Sequence, residues 1–386
     1  MGFESLAGWL RDRRIGIKLG FIMFVPTLAT VIVGANGLVS QISNANIADR
    51  AHTLAALSAD AGSLANALQD ERASATMTVG YARNSKTAVT KAAAAKAAAD
   101  AAAAYKTFQQ QKNTSDRLTA DYNQQAAAES DVPATLRQTL DDVSKSLATL
   151  GVLRQQVSLA MNSPQLAIPM SQSASAYESA ITTLLAIRDA SAQLAGEPAL
   201  SFEIRAASAI SQEKEYISQE RETGLEALIE PAGMSPALYQ SFIGATTGQA
   251  QAHLAFGAVA TPSEQDMYRQ IVTGDGLQPS KETRDLFVGN GTSGKITGIT
   301  VDQWNATSAS RASLFRTVES TLDSEIVADA SAARDRVERQ IIIDVGLLFA
   351  IVLIAMLIAW FVARSMNRAL RELKHGALTV ARQGLP

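Results

Sequence analysis

Three arginines lie on the apolar stripes of predicted helices, where a charged side chain is unexpected. They are Arg72, Arg221 and Arg311. The apolar residues at helical spacing around Arg72 are Leu68 and Ala75, and those around Arg221 are Ile217 and Leu225. Those on the face of Arg311 are Trp304, Phe315, Val318 and Leu322. Residues three and four apart share one face of a helix, so each stripe turns its guanidinium toward the packed side. A planar fork of donors in such a place suits a small planar oxyanion.

A structural role is the alternative for these arginines. Burying an unpaired charge is costly, so each arginine needs either a carboxylate of the fold or a ligand. Carboxylates close enough in the predicted helices are Glu71, Glu213, Glu220 and Glu319. Ion pairs with them, and snorkelling to solvent, would satisfy the arginines without a ligand. Periodicity alone leaves both interpretations open.

Catalytic chemistry has little support in the sequence. The chain has no cysteine, so thiolate metal sites and cysteine nucleophiles are excluded. Its three histidines, His52, His253 and His375, lie far apart and lack metal-ligand spacing. No glycine-rich phosphate loop follows a predicted strand. We therefore expect no catalytic residues, no cofactor and no metal in this chain.

Two apolar stretches, residues 19 to 39 and 341 to 363, are each long enough to cross a bilayer as a helix. The basic residues beside them are Arg11, Arg13, Arg14 and Lys18 before the first, and Arg364, Arg368, Arg371 and Lys374 after the second. The positive-inside rule places residues 1 to 18 and both termini in the cytoplasm and exports residues 40 to 340. A cleaved signal peptide is the alternative for the first stretch, although the stretch is longer than a signal h-region.

The exported region is acidic. Residues 40 to 340 contain 25 Lys and Arg against 33 Asp and Glu. Such a domain is a poor candidate for nucleic-acid binding through its overall field. We therefore expect any bound anion to be held by a few placed cations.

The composition predicts an all-α fold, because 47% of residues are hydrophobic, only 5% are aromatic and proline is scarce. About eight helices are expected between the spans, enough for two four-helix bundles joined end to end. The break at Gly196-Glu197-Pro198 divides them into sub-bundles of about 40–196 and 197–340. The Ala-rich segment 92–104 is either helix or a low-complexity spacer.

Capping signals predict several helix limits. The first exported helix is expected to end near Tyr81, and Ser163-Pro164 to begin the fourth. The later signals are Ser235-Pro236, a capping box at Thr261 to Glu264, a cap at Ser280, a loop over Gly289 to Gly298, and a capping box at Thr300 to Gln303. The helix that begins at Thr300 is expected to continue through the second span.

Two segments resemble the signature stretches of the nitrate- and nitrite-sensing (NIT) domain family. They are Leu68 to Ser74, which reads LQDERAS, and Ser211 to Arg221, which reads SQEKEYISQER. The segment from Trp304 to Glu319 is similar to the final helix of that family. The resemblance covers roughly residues 60 to 325, in the family's order.

The resemblance implies a two-pass protein of a bacterial plasma membrane whose exported part is an all-helical double bundle. It implies that nitrate or nitrite binds to arginines, which here are Arg72, Arg221 and Arg311. This chain departs from the family pattern at Ala73, where glycine is usual, and at Glu222, which follows Arg221 directly. A carboxylate at that position could repel an anion or pair with an arginine.

The tail, residues 364 to 386, resembles the first helix of a HAMP linker, through which receptors of this layout act as parallel homodimers. Such receptors usually continue into a histidine kinase. The expected function is thus the sensory half of a two-component receptor. A basic helix resting on anionic lipid is the alternative for the tail. For the whole chain, the alternative is a membrane-anchored scaffold that binds a protein partner and whose arginines are structural.

Overall fold

The computed structural model describes residues 15–128, 133–292 and 294–383. No β-strand forms within those residues, although an isolated bridge joins Met234 and Gly294. The helices are α1 (Ile15–Thr87), α2 (Lys91–Ala128), α3 (Ala134–Asn162), α4 (Met170–Leu194), α5 (Pro198–Ile229), α6 (Pro236–Val259), α7 (Pro262–Ile271), α8 (Gly274–Asn290) and α9 (Val301–Gln383). The predicted all-α fold class is confirmed.

Two compact units make up the structure. The first, Asp49–Ala332, is called the helical domain below. Its largest apolar cluster is formed mainly by the four helices α1, α2, α3 and α4, and it includes Leu64, Phe108, Val143, Tyr177 and Ile181. A second cluster packs α5 against α6 and α9 through Ile204, Phe256, Val318 and Leu322. A third, formed by Leu225, Phe242, Phe287 and Trp304, lies beside the central part of α5.

Both predicted capping boxes are present. The Thr261 hydroxyl accepts from the Glu264 backbone N–H at 3.3 Å, and the Glu264 carboxylate accepts from the Thr261 N–H at 2.6 Å. Thr300 and Gln303 make the equivalent bonds at 3.2 and 3.0 Å. Each box satisfies donors that the first turn of a helix leaves unpaired, so it fixes the start of α7 and of α9.

Two helix limits in the first half of the helical domain differ from the expectation. Ser163-Pro164 begins a single 3-10 turn, Pro164–Leu166, and α4 begins only at Met170. The reason is Pro169, which disfavours helical backbone at the residue before it and supplies no N–H. Similarly, α1 continues past Tyr81 to Thr87.

The region around Ser280 also differs. Ser280 lies inside α8, which begins at Gly274 and contains Pro279 near its start. The helix extends to Asn290, so the predicted loop over Gly289 to Gly298 begins two residues later than expected. Gly291 ends the helix with a φ of 56°, a conformation that glycine adopts without strain.

The Ala-rich segment forms the first part of α2. Ala101, Ala104 and Phe108 are buried in the largest apolar cluster or beside it, and the Tyr105 hydroxyl donates to Ser158 on α3 at 3.1 Å. Alanine has high helix propensity and permits close packing. The segment is therefore a packed helix from Ala101 onward.

The second compact unit is formed by the two ends of the chain, Met1–Ala48 and Ala333–Pro386. Among the described residues, one helical segment, Val301–Val362, contains a stretch that is long and apolar enough to cross a membrane. Within this unit, Gln41 donates to Asp344 at 3.1 Å. Most side chains of the predicted span 19–39 and of the predicted HAMP segment 364–386 lie outside the described residues, as do residues 1–14 entirely.

Candidate functional site

The central part of α5 carries an unusual density of buried charge. Its buried charged side chains are Glu213, Lys214, Glu215, Glu220, Arg221 and Glu222. Several helices pack around this stretch, so charges on more than one face of α5 are removed from water. Each charge then needs a partner on a neighbouring helix.

Arg72 on α1 is held by α5. Its Nη1 and Nη2 donate to the two carboxylate oxygens of Glu215 at 2.9 and 3.2 Å, and Nη2 also donates to the Ser218 hydroxyl at 2.7 Å. Burial lowers the pKa of Arg72, but the charge of Glu215 outweighs it and the pKa is raised. Gln69 donates to the same carboxylate at 2.8 Å. The guanidinium of Arg72 thus donates two parallel hydrogen bonds to a planar carboxylate, which is the strongest form of an arginine–carboxylate pair.

Arg221 on α5 points toward α1 and α9. Its Nη1 donates to Asp70 at 3.0 Å, and its Nε donates to the Asn305 side-chain oxygen at 2.9 Å. Arg316 donates to the second oxygen of Asp70 at 2.9 Å. Burial raises the pKa of Asp70, but the two guanidinium groups outweigh it and lower that pKa overall. Asp70 therefore remains ionised between two arginines.

Arg311 on α9 meets another carboxylate of α5. Its Nη1 lies 3.3 Å from both oxygens of Glu220, and its Nη2 donates to the Gln249 side chain. Arg284 on α8 donates to the same carboxylate at 3.0 Å. Burial, helped by the like charge of Arg284, lowers the pKa of Arg311. Glu220 was expected as a partner from the sequence, and here it is one.

Arg72 and Arg311 thus contact one stretch of α5 from different sides, and Arg221 projects from that stretch toward Asp70 and Asn305. Glu215 and Glu220 are five residues apart, which corresponds to about 140° around a helix. Arg72 and Arg311 consequently approach different faces. Arg72 and Arg221, by contrast, both act on the carboxyl group of Glu222.

Glu222 differs from the other buried carboxylates. It is 6% exposed, and its hydrogen-bonding neighbour is the Thr76 hydroxyl of α1. Burial raises its pKa to about 7, although the charge of Arg72 and the neighbouring Thr76 act in the opposite direction.

The architecture and the charges of the site correspond to a known family. The family model for nitrate and nitrite sensing matches residues 63–327, which is more than half of the chain. The chain belongs to the NIT family. The matched residues cover most of the helical domain, from within α1 into the first part of α9.

A solved structure has the same fold as this NIT protein. The structure of the NasR transcription antiterminator aligns with a TM-score of 0.56 and 17% identity, over 93% of this chain and 90% of that one. At this identity the likeness shows the fold alone. No curated protein sequence matches the chain.

A second network of buried charges in the NIT domain joins α1, α4, α5 and α9. Lys214 contacts Glu319, which also accepts from Asn66 at 2.8 Å. Arg188 donates to Asp323 and, at 2.9 Å, to the Ser58 carbonyl. Arg188 is fully buried, and Gly62 leaves room for it, since an added Cβ would collide with its guanidinium.

Sequence reasoning missed this second network. The signal for Arg188 was available, because Leu184 and Ala192 lie four residues on either side of it in the apolar stripe of α4. Glu71, one of the four carboxylates considered as possible partners of the three arginines, accepts instead from Arg154 and from the Tyr177 hydroxyl, both at 2.7 Å. Which side chains pair between two helices depends on how far one helix is shifted along the other. The periodicity of a single helix does not contain that shift.

Proposed function

We propose that this chain is the sensory and transmembrane half of a bacterial receptor that responds to nitrate or nitrite. Family membership supports the ligand class. The helical domain would be the exported sensor, within residues 40–340, with sub-bundles of about 40–196 and 197–340. Residues 19–39 and 341–363 would be the spans, with both termini in the cytoplasm.

Arg72, Arg221 and Arg311 are the proposed anion-binding residues. The observation that carries this proposal is the geometry of Arg72, whose two Nη atoms hold a planar carboxylate at 2.9 and 3.2 Å. Nitrate and nitrite are also planar oxyanions and offer two oxygens at comparable spacing. Water is largely excluded at this position, so electrostatic attraction is stronger than at the surface.

We further propose that an anion changes how α5 packs against α9. Arg221 and Arg311 both join α5 to α9, through Asn305 and Glu220 respectively. Residues 364–386 would pass the change to a HAMP coiled coil in a parallel homodimer, and an output module such as a histidine kinase would read it. A ligand shifts such an equilibrium only as far as its affinities for the two packings differ.

The scaffold remains the second candidate, and one observation favours it. All three arginines already have carboxylate partners, namely Glu215, Asp70 and Glu220. In that case the arginines stabilise the fold, and an exported surface binds a protein.

Thermal unfolding separates the two candidates. The full chain in lipid nanodiscs is heated with nitrate, nitrite, chloride or sulfate, and helicity is followed by circular dichroism. Ligands that bind only the folded state raise Tm. The sensor proposal predicts a rise with nitrate or nitrite, its loss in Arg72→Gln, and its retention in Arg205→Gln, which alters an exposed arginine of α5. Equal Tm values in all four salts would favour the scaffold.

A further inference from the structure

The outward face of α3 changes in character halfway along the helix. Its first half carries exposed charged residues at helical spacing, which are Arg137, Asp141 and Lys145. From Ser146 to Tyr177, by contrast, the chain has a single charged residue, Arg154. The guanidinium of Arg154 turns inward, where Nε and Nη2 donate to Glu71 at 2.7 Å. Because 18% of the whole chain is charged, a surface of this length with so little charge is unusual.

Large apolar side chains are exposed along this surface. Val152 is 58% exposed and Leu159 44%, and Leu166, in the 3-10 turn after α3, is 57% exposed. They follow one another at seven-residue spacing, the period at which a helix presents one side to a neighbour in a coiled coil. The exposed stripe is called the α3 seam below and consists of Ala148, Val152, Gln155, Leu159 and Asn162, with Leu166 beyond the end of the helix.

The α3 seam faces solvent in the described part of the chain. The opposite side of α3 supplies the core, through Leu150, Leu153, Val157 and Ala160. Gly151, beside the seam, is exposed, and an added Cβ there would meet no atom within 4 Å. A glycine inside a helix costs about 0.5–1 kcal/mol relative to alanine. Close approach by another helix is what so small a residue permits at this point.

We propose that the α3 seam is the contact through which the helical domain pairs with a second copy of this chain, with the two α3 helices parallel and in register. The inference rests on the proposed function, because two copies inserted in one membrane with the same topology have the same direction. A two-fold axis beside the seam then places each seam residue against its own counterpart. Such a contact uses the same surface on both copies.

The scarcity of charge favours a second copy over a different protein. In a parallel, in-register pair, a charge beside the axis would meet a like charge, which is destabilising. The residues that flank the seam are uncharged as well; they are Thr149, Gly151, Gln156 and Ser158. A different partner could match charges on this face with opposite ones, and such matching is a common source of specificity. A self-contact has to avoid them.

The charge of the whole domain points the same way. Residues 40 to 340 contain 33 Asp and Glu against 25 Lys and Arg, so two copies repel each other through most of their surfaces. A neutral face is where that repulsion is smallest. The α3 seam offers such a face together with apolar side chains to bury.

The residue types of the seam suit a two-stranded pair. With Val152 and Leu159 at heptad position a, the d positions are occupied by Ala148, Gln155 and Asn162. A β-branched residue such as Val152 at position a favours two strands. Gln155 can hydrogen-bond to its own counterpart, since its side-chain amide both donates and accepts. Polar residues inside a seam fix the register at some cost in stability.

The proposed contact is small and depends on the membrane. A standard interface buries about 800 Å² per partner, more than the few large apolar side chains of this seam supply. Two membrane spans in each copy would hold the domains at a high effective concentration, at which a weak contact forms. The α3 pair is therefore expected in the membrane.

The outward face of α6 is the competing surface. This helix carries no Asp, Glu, Lys or Arg. Leu254, 73% exposed, is the one large apolar side chain that is exposed along it. One side chain buries less apolar area than three in line, so α6 is the weaker candidate. Leu254 serves as a matched control for the leucine of the seam.

Disulfide crosslinking of the full chain in bacterial membranes tests the inference, since the chain has no cysteine of its own. Val152→Cys and Leu159→Cys are treated with a mild oxidant, and the crosslinked fraction is read by non-reducing electrophoresis. Both should crosslink about tenfold more than Leu254→Cys, because thiols bond only where their Cα atoms lie within about 7 Å. Crosslinking at both positions requires parallel helices, since an antiparallel pair brings only the residues near one point to their own counterparts.

A charge placed in the seam tests whether each side chain meets its own counterpart. In the Val152→Cys chain, Leu159→Lys or Leu159→Glu should lower the crosslinked fraction about tenfold, because like charges then face each other. Co-expression of the Leu159→Lys and Leu159→Glu chains should restore it, because opposite charges face each other in mixed pairs. Mixing would not repair a misfolded domain, so the rescue separates a lost contact from a lost fold.

The outcomes separate this inference from the proposed function. Crosslinking at Val152→Cys and Leu159→Cys no greater than at Leu254→Cys would overturn the inference. Undiminished crosslinking with Leu159→Lys, or a loss that mixed chains do not restore, would also overturn it. The proposed function stands in each case if nitrate or nitrite raises Tm. Crosslinking and rescue as expected, without any rise in Tm, would leave the α3 pair established and the proposed ligand wrong.

Discussion

The indole N–H of Trp304 donates a hydrogen bond of 2.8 Å to the backbone carbonyl of Arg221. This bond joins the first turn of α9 to α5 at the residue whose side chain reaches Asp70. Gly224 faces the same indole, and an added Cβ there would overlap its ring. The start of α9 is therefore positioned against the backbone of α5, which requires a glycine at this point.

The first prediction is that Gly224→Ala destabilises the helical domain. The methyl group must push the buried indole out of its place, which costs about 1–3 kcal/mol and weakens the bond to the Arg221 carbonyl. Urea unfolding of the full chain in nanodiscs, followed by circular dichroism, measures the change in free energy.

Gly244→Ala is the matched control, because Gly244 is exposed on α6 and an added Cβ meets no atom within 4 Å. Alanine favours helix over glycine, so this variant should be more stable by about 0.5–1 kcal/mol. Equal free energies for the two variants would contradict the packing described for Trp304.

A second prediction concerns the buried pair of Lys214 and Glu319. Lys214→Met leaves a buried carboxylate with Arg188 at 3.9 Å as its nearest remaining cation, so it should lower the free energy of unfolding by about 3–5 kcal/mol. Adding Glu319→Gln removes the stranded charge and should restore most of that loss. A double-mutant cycle in urea gives both values.

Lys145→Met serves as the comparison, since Lys145 forms an exposed ion pair with Asp142. It should leave stability unchanged, because surface ion pairs contribute little. If the changes in the free energy of unfolding from the Lys214 and Glu319 substitutions simply added, the two side chains would not interact, which would contradict this prediction.

The third prediction is a dependence of stability on pH through Glu213. Burial raises the pKa of Glu213 to about 7, although the Tyr268 hydroxyl lowers it by donating to the carboxylate at 3.3 Å. The folded state thus binds this proton more tightly than the unfolded state does. Stability from this group is present near pH 5 and is lost as the pH rises through 7, by about 2–3 kcal/mol.

Urea unfolding at pH 5, 6, 7 and 8 measures this dependence. In Glu213→Gln, the decrease in the free energy of unfolding between pH 5 and 7 should be smaller by about 2–3 kcal/mol than in the unaltered chain. Glu282→Gln, at an exposed position of α8, should show the same decrease as the unaltered chain. An unchanged slope in Glu213→Gln would contradict the raised pKa.

The fourth prediction tests the topology. Because the chain has no cysteine, single cysteines can be placed without a background. Val89→Cys, at a fully exposed position of the helical domain, should react with a membrane-impermeant maleimide in intact cells. Ser365→Cys, exposed just after the second predicted span, should react only after lysis. Labelling of both positions, or of neither, in intact cells would contradict two spans with cytoplasmic termini.

Much of the fold follows from local sequence. The capping boxes at Thr261 and Thr300 were predictable because their side chains bond to backbone only three residues away. The start of α4 was not, because Pro169 overrode the cap signal at Ser163. The cap predicted at Ser280 was wrong because α8 begins earlier, at Gly274, and continues through Pro279.

The site was predictable only in part. The periodicity of one helix shows that Arg72, Arg221 and Arg311 face inward, and all three are buried. It does not give the longitudinal position of α1 beside α5, which makes Glu215 rather than Glu71 the partner of Arg72. Nor could spacing reveal that Thr76 faces Glu222, since they are on different helices.

The measurement that tests the central claim most directly is calorimetric titration at pH 6 of the full chain with nitrate and nitrite, using chloride and sulfate as controls. The account predicts saturable heat with nitrate or nitrite, no heat with Arg221→Ala, and unchanged heat with Arg205→Ala. Absence of heat with every anion, from a chain shown to be folded by circular dichroism, would contradict an anion sensor built on these arginines.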